Sequence, residues 1–161
     1  MAINAFLRLK GQKQGEIKGS ATLKGREGRI MVNAACHEIV SPRNPASGLP
    51  TGKRMHKPFV ITKEIDRSSP LLYTALATNE NISEWELQFW EPVMGAGTEK
   101  QHYTIKLFNA NIAGINFQMP NTRNPDFMKY GEYEEISFTY QKIQWIWTEG
   151  AIISEDAWES P

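Results

Sequence analysis

Apolar and polar residues alternate at period two through almost the whole chain, and that pattern admits a sheet protein and little else. Ile3, Ala5, Leu7 and Leu9 alternate with Asn4, Phe6, Arg8 and Lys10. From Arg29 to Val40, residues Ile30, Val32, Ala34 and Cys36 share one face. Trp85, Leu87 and Phe89 alternate with Glu84, Glu86 and Gln88. Tyr103, Ile105 and Leu107 repeat the pattern, as do Ile115, Phe117 and Met119, and Phe59 and Ile61 follow Pro58.

The last long run breaks its own phase. Ile136, Phe138 and Tyr140 have one parity, whereas Ile143, Trp145 and Trp147 have the other. A one-residue slip turns the second trio to the opposite face. Either the covered face changes there, or a bulge or sharp bend near Gln141–Lys142 restores the phase, as where a sheet curls into a barrel. One helix is legible. Asp66-Arg67-Ser68-Ser69-Pro70 reads as its start, with Ser69 as N-cap and Pro70 in the first turn. Leu72, Ala75 and Leu76 carry its apolar face, and Asn79 suits a left-handed cap. One helix among seven or more strands predicts a mainly β fold, a barrel or sandwich with the helix at its side.

At 161 residues the chain fits one domain, 1–161. Its 18 Lys+Arg balance 18 Asp+Glu. That argues against nucleic acid as a partner and against attraction to an anionic membrane. No run approaches the ~18 apolar residues of a membrane-spanning helix. The opening MAINAFLRLKGQ lacks a basic segment ahead of its apolar run, which Arg8 and Lys10 interrupt. The expectation is a cytoplasmic start, with any export bypassing a cleaved signal.

Chemistry-bearing constellations are sparse. Cys36 and His37 are adjacent on a strand and should point apart, as a small buried thiol beside an outward imidazole. No HxH, HExxH, CxxC, GxSxG or phosphate-loop pattern occurs. Glu134 and Glu135 open a strand and should diverge, while Glu155-Asp156 reads as tail. No catalytic residue, metal site or cofactor is therefore expected. Trp90 is out of phase with Trp85, Leu87 and Phe89. With the Trp145–Trp147 pair it indicates a second apolar surface suited to a subunit interface. The same aromatics would serve a small β-barrel module that binds a peptide or carbohydrate.

Residues 41–52 read SPRNPASGLPTG, with three Pro and two Gly in twelve positions. A connection this long is often functional. Pro42, Pro45 and Pro50 restrict its backbone. Ser41, Asn44, Ser47 and Leu49 complete its candidate contact set, and Arg43, Lys53 and Arg54 give it positive charge. Glu80, Glu84, Glu132, Glu134 and Glu135 are the candidate acidic partners on a neighbouring copy.

Several separated segments resemble one family. Thr51-Gly-Lys-Arg-Met-His-Lys-Pro-Phe-Val-Ile-Thr-Lys-Glu-Ile-Asp66, then Ser68-Ser69-Pro70-Leu71-Leu72-Tyr73, is similar to the haemolysin-coregulated (Hcp) proteins of type VI secretion. So are Ala5-Phe6-Leu7-Arg8-Leu9-Lys10, Ile17-Lys18-Gly19-Ser20 and the segment Ile136 to Trp145, in the family's order, over about residues 3–158. The resemblance implies a two-sheet β-barrel with a flanking helix and a long extended loop, like phage tail-tube proteins. It implies a homohexameric ring that stacks into a hollow tube, with the loop Val40 to Met55 reaching the next ring. It implies a VgrG-type spike, contractile sheath proteins and small lumenal effector proteins as partners. It also implies secretion or delivery into a target cell on firing. With the chain ending at Pro161, soon after its last strand, the expected form is structural, without a toxin domain.

Overall fold

The computed structural model describes residues 1–159, so Pro161 lies outside the described residues. Thirteen strands and one α-helix are present among them. In chain order the strands are β1 (Ala5–Gly11), β2 (Gly15–Ile17), β3 (Ile30–Val32), β4 (Ala34–Cys36), β5 (Ile39–Val40), β6 (Met55–His56) and β7 (Phe59–Glu64). After helix α1 (Ser69–Ala77) come β8 (Ile82–Pro92), β9 (Glu99–Phe108), β10 (Asn111–Gln118), β11 (Tyr133–Thr139), β12 (Lys142–Trp147) and β13 (Ile152–Ala157). One sheet runs β13-β12-β9-β8-β1-β2, with β3 also on β1. A second runs β10-β11-β7-β4, and β5-β6 form a separate ribbon. Neither large sheet closes on itself among the described residues, so the expected barrel is two open sheets sharing one core.

The alternation fills that core as the sequence predicts. Leu7, Leu9, Leu87, Ile105, Leu107 and Ile143 come from the larger sheet, and Phe59, Ile61, Ile136 and Phe138 from the smaller. Trp85 sits between the sheets, its ring edge-on to Phe59 at 5.2 Å and to Phe138 at 5.4 Å. Burial of aromatics of this size, with edge-to-face geometry, is the main apolar contribution to such a core.

The phase break at Gln141 has a definite cause. β11 belongs to the smaller sheet and β12 to the larger, so the chain crosses between facing sheets at Tyr140–Gln141. Crossing reverses the direction of the core, and the slipped parity keeps Ile143 and Trp145 inward. The connection is a bend between two strands rather than a bulge within one. The run from Arg29 crosses too, at Asn33, but without a slip. Ile30 and Val32 are buried in one sheet, and Ala34 and Cys36 then face outward on the other. This corrects the expected pair: Cys36 is exposed, and it is His37 that turns inward to stack on Phe59 at 5.1 Å. A register shift between Ile112 and Gly114 keeps Ile115 on the inner face opposite Ile136, while Phe117 near the strand's end and Met119 beyond it are exposed.

Helix α1 starts one residue earlier than predicted, with Ser68 as N-cap, and Asn79 takes the left-handed conformation at φ 53°. Ser69 has a different task from capping. The Lys63 ammonium donates to Glu134 Oε1 at 2.6 Å and to Ser69 Oγ at 3.1 Å, and lies 3.2 Å from Asp66 Oδ1. Ser69 Oγ donates in turn to Glu134 Oε1 at 2.9 Å. This fully buried pair ties the helix start to β7 and β11. At the other end of α1, Glu80 accepts from the backbone N–H groups of Lys13 and Gln14 at 3.1 and 3.0 Å. The approach is close enough that a Cβ on Gly11 would lie 2.0 Å from Glu80 Oε2.

Removing one member of a buried ion pair costs about 3–5 kcal/mol, whereas replacing both by apolar groups is often neutral. Lys63→Ala should therefore lower the urea midpoint sharply, and Lys63→Met with Glu134→Leu should recover most of the loss.

Candidate assembly interface

The segment between β4 and β7 forms a ribbon-shaped arm. Its hydrogen bonding continues the β4–β7 ladder: Lys57 N donates to Glu38 O, β5 pairs with β6, Thr51 N donates to Pro42 O, and Arg43 bridges to Pro50. Local chemistry closes the tip. Asn44 Oδ1 accepts from the N–H groups of Ala46 and Ser47 at 2.8 and 3.1 Å. Gly48, at φ 74°, donates its N–H to Asn44 O. Asx turns of this kind and prolines fix a loop at low conformational cost. Ser41, Arg43, Asn44, Pro45, Ser47, Leu49, Pro50 and Lys53 are exposed, and Pro42 is half-buried. All ten candidate arm residues are thus brought together in one ribbon and its base.

A polar chain clamps the root of the arm. His37 Nε2 and His56 Nδ1 each lie 2.8 Å from the Tyr140 hydroxyl. His56 Nε2 lies 2.7 Å from Asp156 Oδ2. Arg54 chelates the same carboxylate through Nε and Nη2, the latter at 2.6 Å from Oδ1. The Trp158 ring stacks on His56 at 5.7 Å and meets Tyr140 edge-on at 4.9 Å. The arm is therefore pinned to the sheet crossover, through Tyr140, and to β13, through Asp156. Two expectations are corrected here. Glu155-Asp156 lies in an edge strand rather than a tail, and Arg54 is engaged by Asp156 of its own chain.

The clamp shifts its members' protonation. The Arg54 hydrogen bond holds the Asp156 carboxyl below its usual range, burial opposes, and His56 adds to the lowering. Asp156 in turn raises the Arg54 guanidinium. Burial, then Asp156, pushes the Tyr140 phenol up. Burial, and then neighbouring His56, lowers His37 from 6.5, with the Lys57 backbone opposing. His37 is therefore committed to Tyr140 and is turned away from exposed Cys36. No group of three or more metal-ligating side chains occurs among the described residues.

Three of the candidate acidic partners are already engaged within the chain. Glu134 is buried against Lys63, and Glu80 is buried under the β1–β2 turn. Glu84 lies 3.3 Å from Arg8, while Glu132 and Glu135 are exposed. Trp90 does lie on the outer face of its sheet, beyond a register shift after Phe89. It is half-buried, because the Arg26 guanidinium covers it at 4.2 Å and Phe6 at 4.8 Å, with Glu99 accepting from Arg26 at 2.6 Å. No local signal marks Arg26 as buried, because its partners are more than sixty residues away, apart from Phe6. The expected grouping of Trp90 with Trp145 and Trp147 is corrected: Trp147 pairs with Tyr103 and shares the inward face with Ile143 and Trp145, opposite to Trp90, and at the β12–β13 end Trp147 and its partner Ile152 are 43% and 65% exposed.

The family profile described as "Type VI secretion system effector, Hcp" matches residues 6–147. The chain belongs to the Hcp family. It is 38% identical to a protein of Pseudomonas aeruginosa named "Major exported protein", over all of this chain and 98% of that one. A crystal structure of an Hcp protein superposes with a TM-score of 0.90 at 30% identity, covering 98% of this chain and 99% of the other. A secreted Hcp protein of Pseudomonas aeruginosa superposes with a TM-score of 0.79 at 31% identity, with the same coverage. This Hcp chain therefore belongs to the family of type VI secretion tube proteins.

The depressed His37 fixes the sign of a pH effect. The folded state keeps the imidazole neutral where the unfolded chain binds a proton, so stability is present above the ordinary histidine pKa and falls as pH drops below it. Asp156 adds the same sign at lower pH. Thermal melting should fall as pH drops below the ordinary histidine value of about 6.5, and His37→Gln should flatten that part of the curve.

Proposed function

We propose that six copies of this chain close into a ring and that rings stack into the hollow inner tube of a type VI secretion system. The tube is expelled with a spike of the VgrG type by contraction of sheath proteins, and its lumen carries small effector proteins. The chain acts as a structural subunit, as one domain, and leaves the cytoplasm for the exterior or a target cell. The full-length similarity to proteins named as exported and as Hcp supports this reading. The observation that carries it is the arm: a preorganised, exposed ribbon whose root is clamped by a buried polar chain. A monomer has no use for such a projection, whereas a repeating contact does. The apolar Trp147–Ile152 edge supplies surface for the ring contact itself.

Light scattering should give about six times the 18.3 kDa chain mass. Replacing residues 41–52 by a short Gly-Ser turn should preserve melting behaviour and ring mass but abolish tubes in negative-stain micrographs. A monomer at high concentration overturns the reading.

A further inference from the structure

The ribbon that carries the arm is hinged at its root. The β4–β7 pairing ends at Cys36 and Val60, and the β5–β6 pairing begins at Ile39 and His56. Between these pairs His37 and Glu38 stand opposite Lys57, Pro58 and Phe59, so the ladder bulges and bends there. Pro58 has no N–H to add to it. One backbone bond crosses the gap, from Lys57 N–H to Glu38 O at 3.1 Å. Side chains from elsewhere reach over this hinge: Tyr140 of the sheet crossover meets His37 and His56, and Asp156 of β13 meets His56.

Hydrogen-bond chemistry limits the protons this group can hold. The Asp156 carboxylate only accepts, so His56 Nε2 carries a proton for it. With His56 neutral, its bare Nδ1 takes the single hydroxyl proton of Tyr140, whose oxygen then accepts from His37 Nε2. With His56 charged, the chain reverses: His56 donates to both Asp156 and Tyr140, and the hydroxyl donates to a bare His37 Nε2. A charge on His37 alone leaves the first arrangement intact. The chain thus accepts one extra proton, on either ring, but not two. With both rings charged, two N–H groups converge on one oxygen and the Tyr140 proton has no acceptor. Two cations then face each other across a hydroxyl whose residue is 1% exposed.

The neighbouring groups place that second charging in acid. Asp156 faces the rings but is already chelated by Arg54, itself a cation. Glu155, next in the chain, turns instead to Gln144 and Lys142. Glu38 is held on the outside by the Lys57 ammonium at 3.2 Å. Phe59 stacks on His37 and Trp158 on His56, and neither ring offers an acceptor. Burial and His56 oppose a charge on His37, and the Lys57 backbone favours one. The pair therefore becomes doubly charged only below the ordinary histidine value of 6.5, where Asp156, held low by Arg54, is still ionised.

We propose that His37, Tyr140 and His56 form an acid-operated latch across the hinge, closed while the two rings share at most one extra proton and open when both are charged. Opening leaves the β5–β6 ribbon zipped but free to swing about the bulge, so the arm is rigid in neutral surroundings and loose in acidic ones. The latch does not depend on what the arm contacts. The test places a nitroxide at the arm tip of the full chain, through Cys36→Ala with Ser47→Cys, and follows its mobility from neutral to about pH 5. Near-UV circular dichroism and the mass by light scattering are recorded at each step. Mobility should rise several-fold below about pH 6.5 while the core signal and the mass hold. His37→Gln keeps a donor for Tyr140 and cannot be charged, so it should hold the arm still throughout. Tyr140→Phe should leave the arm loose at every pH. A tip that stays still to the acid end, an equal rise in His37→Gln, or a still tip in Tyr140→Phe each overturns the latch. So does loosening that only follows loss of the core signal or a fall in mass.

Discussion

The chain passes from one sheet to the other at Tyr140–Gln141, and most of the architecture follows from how that crossing is held. β11 ends on the smaller sheet and β12 begins on the larger, so both inner faces must be satisfied by one continuous segment. Tyr140 at the turn is 1% exposed, and its hydroxyl is the meeting point of two imidazoles. A buried hydroxyl without partners would cost about 1–3 kcal/mol, so the two histidines are as much a condition of the crossing as a consequence of it. Those histidines lie on either side of the arm's root. The feature that lets two open sheets share a core is thus also the feature that aims the arm.

Polar chemistry in the interior is concentrated at joints. Lys63 and Glu134 join the helix to the smaller sheet, Glu80 joins its far end to the β1–β2 turn, and Asp156 joins β13 to the arm. Between these joints the core is apolar and aromatic. Net stabilisation from a buried ion pair is small, because desolvation offsets the attraction. Its contribution here is positional: only one placement of α1 satisfies Lys63, Ser69 and Glu134 together. Outside, open sheet edges and exposed Trp147, Ile152, Met119 and Tyr130 leave much apolar surface in water, as at sites of contact with other molecules.

Local sequence determined the strands and most of their inward residues, Cys36 excepted, together with the single helix with its left-handed end at Asn79 and a basic, proline-bearing arm. These are set by side-chain periodicity and backbone preference, which act over a few residues. The family, too, was legible from ordered segments spread along the chain. Tertiary structure alone decided which sheet each strand joins. Periodicity reports that a face is buried but not against what, so the slip at Gln141 left two readings open and the unbroken phase through Asn33 hid a second crossing. For the same reason Cys36 and His37 exchanged sides. The clamp was equally hidden, since Asp156 lies 102 residues from Arg54 and 100 from His56 and meets them only because β13 pairs with β12 beside the crossover.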